Sequence, residues 1–262
     1  MHEFPVVHIG GIGFDLSSII AITVSFVITL VLALLAVRNL SVDNPSKLQN
    51  FMEWVVEFVH NTIASTMPLE KAKRYISLGM TLIMFIFISN LLGLPFGIVT
   101  EVSESHHGPV TVAGLEIASA DEVEKAHEDG KHLAYAWWKS PTADLSVTAG
   151  LASIVFVLVH YLGLTQNTRH YLKHYFKPYP IFFPINILET LTKPLTLALR
   201  LFANIFAGEV LISTILLLGV FGIPLLGIWQ GFSIFVGAIQ AFLFTILTMV
   251  YISQATVHEE GH

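Results

Sequence analysis

Hydrophobic and polar positions divide the chain into five long apolar stretches joined by polar connections. A bilayer core about 30 Å thick takes roughly 20 apolar residues in a helix. Residues 17–37 contain no Asp, Glu, Lys or Arg and predict a spanning helix of that length. Residues 75–99, with Asn90 inside, and residues 143–164, with Asp144 at the start, predict two more. The last two stretches, 181–218 and 225–256, are longer. At 1.5 Å per residue they extend about 57 Å and about 48 Å, so neither fits upright. The pattern predicts a steeply tilted or broken helical hairpin, turned at Gly219-Val220-Phe221-Gly222-Ile223-Pro224, with Pro194 a candidate kink.

Between the first two spans the period changes. Leu48, Met52, Val55, Val56, Val59 and Ile63 fall on one face, with Glu53, Glu57, His60 and Asn61 elsewhere. Asn44-Pro45-Ser46 supplies a turn and a cap, so residues 46–66 read as an amphipathic helix on the membrane surface. The same moment suits a helix packed on a soluble partner. The expected fold is an all-α integral membrane protein of five membrane-embedded helices plus this surface helix. All of it forms one transmembrane domain, 1–262, with an extracytoplasmic loop at about 100–142.

Composition agrees with that reading: of 262 residues 54% are hydrophobic and 12% charged, and the mean hydropathy is +0.70. Soluble domains carry about 25% charged residues. The net charge of −6 sits in the connections and gives no reason to expect nucleic-acid binding. There is no cysteine, hence no disulfide framework or thiolate metal site. The first apolar stretch has no basic region ahead of it, so a cleaved signal peptide is not expected. Arg38, Lys47, Lys71, Lys73 and Arg74 precede the second span, and Arg169, Lys173 and Lys177 follow the third; the first 16 residues carry no Lys or Arg. The loop at 100–142 has three lysines against eight acidic residues. The positive-inside rule then predicts an outside N-terminus and a cytoplasmic C-terminus. No internal repeat is evident, which argues against an inverted-repeat transporter.

Apart from Asp144, the Asp, Glu, Lys and Arg residues within the spans are Glu189, Lys193, Arg200 and Glu209, all on the fourth. Charges at this depth are costly and usually mark ion paths, relays or counter-ions. Glu189 and Lys193, spaced i, i+4, form either a structural pair or a polar lining. Arg200 has no acidic residue three or four positions away, so its partner comes from elsewhere. At about 100° per residue, Glu189, Lys193, Arg200 and Asn204 share a face about 60° wide, while Glu209 lies about 180° from Arg200. One face carries a permanent cation and the other a titratable carboxylate. On the last helix Gln230, Ser233, Gln240, Thr245 and Thr248 can bond to the preceding helix, and the antiparallel hairpin sets Gln240 opposite Arg200.

Other signals are weaker. His258-Glu259-Glu260-Gly261-His262 has zinc-hydrolase spacing, but it is a glycine-containing tail with no third ligand nearby and reads as solvated. His127-Glu128-Asp129-Gly130-Lys131-His132 has the wrong spacing, and His160 reads as an interfacial packing residue. No nucleophile, dyad, metal cluster, cofactor motif or phosphate-binding loop appears, which argues against a membrane enzyme.

Residues 193–209, KPLTLALRLFANIFAGE, closely resemble the signature of subunit a of F-type ATP synthases of the bacterial type. The likeness extends to Gln240-Ala241-Phe242, Thr248-Met249-Val250-Tyr251, Thr142-Ala143-Asp144-Leu145-Ser146-Val147-Thr148 and Asn90-Leu91-Leu92-Gly93, leaving residues 100–140 unaligned. The resemblance implies a stator subunit of the plasma membrane, with no catalytic site of its own. Beside a ring of c subunits and peripheral-stalk b subunits, it would pass protons through two offset half-channels. It implies that Arg200 is the essential arginine facing the ring, with Asn204 and Gln240 beside it. Glu209 would belong to one half-channel and Asp144 would lie near the other. Many relatives place a histidine or glutamate seven residues before the glutamine, where this chain has Ser233.

Overall fold

The computed structural model describes residues 4–94, 99–102, 108–112, 114–128, 134–166, 168, 171–172, 175–176 and 179–256. The histidine-containing tail at 258–262, residues 129–132 of the other histidine stretch, and Arg169, Lys173 and Lys177 lie outside these.

The chain begins with an antiparallel hairpin, β1 (Val6–Ile9) and β2 (Ile12–Asp15), turned at Gly10 and Gly11 with φ of 60° and 85°. L-residues with side chains seldom adopt those angles. Asp15 ends the hairpin and caps α1 (Leu16–Val37), its Oδ1 accepting from the amides of Ser17 at 2.9 Å and Ser18 at 3.2 Å. The amphipathic helix is α2 (Lys47–Ala64), started by Ser46, whose hydroxyl accepts from the Gln49 amide. Its Val55, Val59 and Ile63 are buried in a core with residues of α3 (Leu69–Leu92) and of the last helix. Gly79 on α3 permits that approach, since a β-carbon there would lie 3.0 Å from both Ile63 Cδ1 and Val59 Cγ1. Thus the valine and isoleucine face packs on the bundle, and an aromatic row of Phe51, Trp54 and Phe58 remains exposed beside it.

The stretch at 100–142 is more than a connecting loop. Strand β3 (Val99–Glu101) pairs with β6 (Ala134–Ala136), and β4 (Val110–Val112) with β5 (Leu115–Ala118), with helix α4 (Ala120–Glu128) between. Ala118, Val123 and Tyr135 give this cap a small core. A single 3-10 turn, Pro141–Ala143, then leads into α5 (Leu145–Gln166).

Helices α6 (Phe183–Leu216) and α7 (Gly222–Thr256) form the long C-terminal hairpin. Its turn uses Gly219 at φ 58° and Gly222, where a β-carbon would run into the Ile215 carbonyl oxygen. With 34 and 35 residues the two helices measure about 51 Å and about 52 Å, longer than an apolar slab of about 30 Å. Pro194 is accommodated inside a continuous α6. The five helices α1, α3, α5, α6 and α7 are long and apolar enough to cross a membrane, so the chain is an all-α membrane protein. The core between α3, α5 and the hairpin is built on Ile86, Val155, Leu197, Leu201 and Phe244, and it fixes the hairpin in the bundle.

The polar residues of α7 bond differently from the expectation. Thr245 and Thr248 donate to the carbonyls of Ala241 and Phe244 on their own helix, and Gln230 donates to the Leu94 carbonyl beyond α3. A threonine hydroxyl in an apolar helix has the carbonyl four residues back within reach, so it needs no neighbour.

Candidate functional site

Two cavities flank the hairpin, one towards its turn and one towards its open end, where α6 begins and α7 finishes. The cavity near the turn has a volume of about 620 Å³ and is lined by Asn204, Glu209, Trp229, Ser233, Asn90 and Ser140 among others. The cavity at the open end, about 400 Å³, is lined by His160, Tyr171, Tyr175, Glu189, Lys193 and Gln254 among others. On α6 the second cavity ends at Leu197 and the first begins at Asn204; on α7 they end at Tyr251 and Val236. Arg200 and Gln240 sit in the interval, lining neither.

Arg200 is exposed on α6, off the buried stripe of Leu197, Ala198 and Leu201, and it makes no ion pair or hydrogen bond among the described residues. Asn204, one turn on, is exposed on the same side and reaches the first cavity. Gln240 is instead buried, next to Ala241 in the core. The hairpin register is seen in Trp229, whose indole donates to the Gly208 carbonyl at 3.3 Å, and in Lys193, 3.4 Å from Gln254 Oε1.

Near the turn, Glu209 Oε1 accepts the Ser140 backbone N–H at 2.8 Å. Ser140 belongs to a short segment stitched over the end of α3. Its hydroxyl donates to the Ser89 carbonyl at 2.9 Å, Trp138 Nε1 donates to the Leu92 carbonyl at 2.6 Å, and Thr142 donates to Asn90 Oδ1 at 2.5 Å. Asn90 in turn donates to the Gly237 carbonyl of α7 at 2.9 Å. Ser233 lines the cavity that holds Glu209, and its hydroxyl is buried with no hydrogen-bond partner among the described residues.

Asp144 lines neither cavity and stands at the same end as Ser140, whereas the resemblance implied a place near the half-channel other than that of Glu209. Its Oδ2 lies 3.0 Å from Lys139 Nζ, and Lys139 immediately precedes Ser140. The reason is topological: α5 and α6 pack together, and the turn that leads into α5 lies against α6, while Ser140 just before it binds Glu209. Asp144, just outside its helix, is held below the usual carboxylate range. Burial pushes it up, but hydrogen bonds from Ser18 and Lys139, the lysine charge and the Ser146 amide outweigh burial.

At the open end Glu189 and Lys193 form an i, i+4 ion pair of 3.1 Å, and the Lys193 ammonium lies 5.8 Å from the Tyr251 ring centroid. His160 is not isolated. Its Nδ1–H donates to the Phe156 carbonyl at 2.8 Å, leaving Nε2 to accept from the Tyr175 hydroxyl at 3.5 Å, and its ring meets that of Tyr171 edge-on at 5.9 Å. Burial raises the Tyr171 hydroxyl well above its ordinary value. Sequence reasoning missed this grouping because residues 160, 171 and 175 meet only once the chain turns back after α5. It missed Lys139 as well, although Trp137 and Trp138 beside it are the kind of residues that mark a membrane interface.

Comparison with known proteins decides the family. The sequence profile of the ATP synthase A chain matches residues 18–253. This chain belongs to that family. Among its relatives are proteins named ATP synthase subunit a from Bacillus velezensis, 41% identical over 98% of this chain and 99% of that one, and from Anoxybacillus flavithermus, 44% identical over the same shares. Another, from Listeria monocytogenes, is 43% identical over 98% of each. As a member of the ATP synthase A chain family, the chain is a membrane subunit of the H+-transporting ATPase.

Proposed function

We propose that this chain is the proton-conducting stator subunit of a rotary ATP synthase in the plasma membrane, working against a ring of c subunits and held by peripheral-stalk b subunits. The observation that carries the reading is the pair of cavities at opposite ends of the hairpin, separated by an interval that holds Arg200, which is exposed and has no ion pair or hydrogen bond among the described residues. Each cavity is one half-channel. With the N-terminus outside, as the loop charges imply, the Glu209 cavity opens outward and the Glu189–Lys193 cavity opens to the cytoplasm.

A ring carboxylate facing lipid is neutral, because hydrocarbon cannot solvate its charge. Moving past Arg200 at about 4 Å, in an effective dielectric near 20, it gains about 4 kcal/mol in its ionised form, which favours proton release by about a thousandfold. Glu209 exchanges that proton with water in its cavity, and Asn204 and Gln240 flank the passage. A proton hopping directly between the half-channels would have to pass a fixed cation. A guanidinium suits the position because, unlike a desolvated ammonium, it does not give up its proton.

The test is ATP-driven acidification of inverted membrane vesicles. Arg200→Lys should reduce it to background while the complex still assembles. Pumping close to the parental rate overturns the role given to Arg200.

A further inference from the structure

Lys139 is buried, 8% exposed, and its ammonium lies 2.5 Å from Asp15 Oδ2 and 3.0 Å from Asp144 Oδ2. Ser18 donates to the same Asp144 oxygen at 2.7 Å, and the Phe4 ring centroid lies 4.1 Å from the ammonium. A buried charge is destabilising unless paired and hydrogen-bonded, and this one is paired twice. Its two carboxylates come from different parts of the fold, one ending β2 and the other preceding α5, so a single ammonium ties three segments together.

The next residue in sequence is Ser140. Its N–H supplies the one hydrogen bond that the Glu209 side chain accepts among the described residues. A glutamate has three side-chain torsions, and among the described residues no hydrogen bond or ion pair from its own helix fixes this one. We propose that Lys139 is a positioning residue: through Asp15 and Asp144 it clamps the Trp138–Asp144 segment so that the Ser140 amide holds the Glu209 carboxylate in its cavity. The inference rests on the reading of Glu209 as the proton carrier of the outer half-channel. It adds the cation that sets where that carrier stands.

The experiment uses the whole complex in inverted vesicles, with assembly checked by recovery of the chain with its ring and with initial acidification rates compared. Lys139→Met should slow pumping by at least about tenfold, since displacing a reacting group by about 1 Å can cost up to about a hundredfold. Lys139→Arg should restore it to within about twofold of the parent, as a guanidinium can also bridge two carboxylates. Asp15→Asn keeps the capping oxygen on α1 and replaces the oxygen facing Lys139 with an uncharged NH2 that cannot accept from it, so it should slow pumping by about threefold or more. If Lys139→Met fails to assemble, Asp15→Asn decides the matter alone. Parental rates in Lys139→Met and Asp15→Asn, alongside a slowed Glu209→Gln, overturn the clamp and leave Glu209 as the carrier. Equal slowing in Lys139→Arg and Lys139→Met overturns it too. A Glu209→Gln variant that pumps normally removes the carrier role first, and the clamp falls with it.

Discussion

A β-carbon on Gly93 would lie 2.5 Å from Ser140 Cβ and 3.0 Å from both Ser140 Cα and Glu209 Oε1. The end of α3 is therefore bare because the segment carrying Ser140 and the carboxylate of Glu209 occupy the space where a side chain would go. Gly93→Ala should push both away, costing about 1–3 kcal/mol of stability as an overpacked site does, and should slow proton pumping. Gly208 provides the contrast, with nothing within 4 Å of its hypothetical β-carbon. Gly208→Ala should leave both quantities near the parental values. Equal effects of the two substitutions, in melting temperature and acidification rate, would show that crowding at Gly93 is not what matters.

Among elements, the 3-10 turn at Pro141–Ala143 and the residues before it do most to shape the Glu209 site, and they illustrate what a sequence does and does not reveal. Arg200 and Glu209 were legible because a charge in an apolar run stands out without any knowledge of neighbours. The hairpin turn was legible from its glycines and from helix lengths that exceed a bilayer. Lys139 was not, since it is one of three lysines in a polar stretch and only tertiary packing distinguishes it. The partners of Asp144 were not legible either, because its own span cannot say that Lys139 and Ser18 will meet it.

The clamp also has a pH signature. The Asp144 carboxyl is depressed below its ordinary value of 3.8, so the stability it contributes is fully present above that value and is lost as pH falls through the lower folded one. The groups facing it are Lys139 and, across the ammonium, Asp15. Stability should therefore change little between about pH 7 and about pH 5 on its account, then decline below about pH 4. Asp144→Asn should flatten that acid limb in thermal unfolding of the detergent-solubilised protein. An acid limb identical to the parent's would show that Asp144 titrates without a partner.

The whole molecule is incomplete in one direction. Arg200 and Asn204 stand on the hairpin among exposed apolar side chains, including Leu195, Leu199, Phe206, Phe235 and Ile239. Lipid alone is a poor neighbour for an unpaired guanidinium, whose burial in hydrocarbon costs at least about 2.5 kcal/mol. The ring of carboxylate-bearing helices proposed as the partner would satisfy both the apolar surface and the cation. Among the described residues the two cavities share no lining side chain, and on the proposed reading a proton crosses the interval only when the ring carries it past Arg200. Reconstituted alone into liposomes under an imposed potential, the chain should show proton conductance no greater than that of empty liposomes, and conductance should appear only when the ring is added. A chain that conducts by itself must join its cavities within its own fold, and Arg200 would then be no barrier.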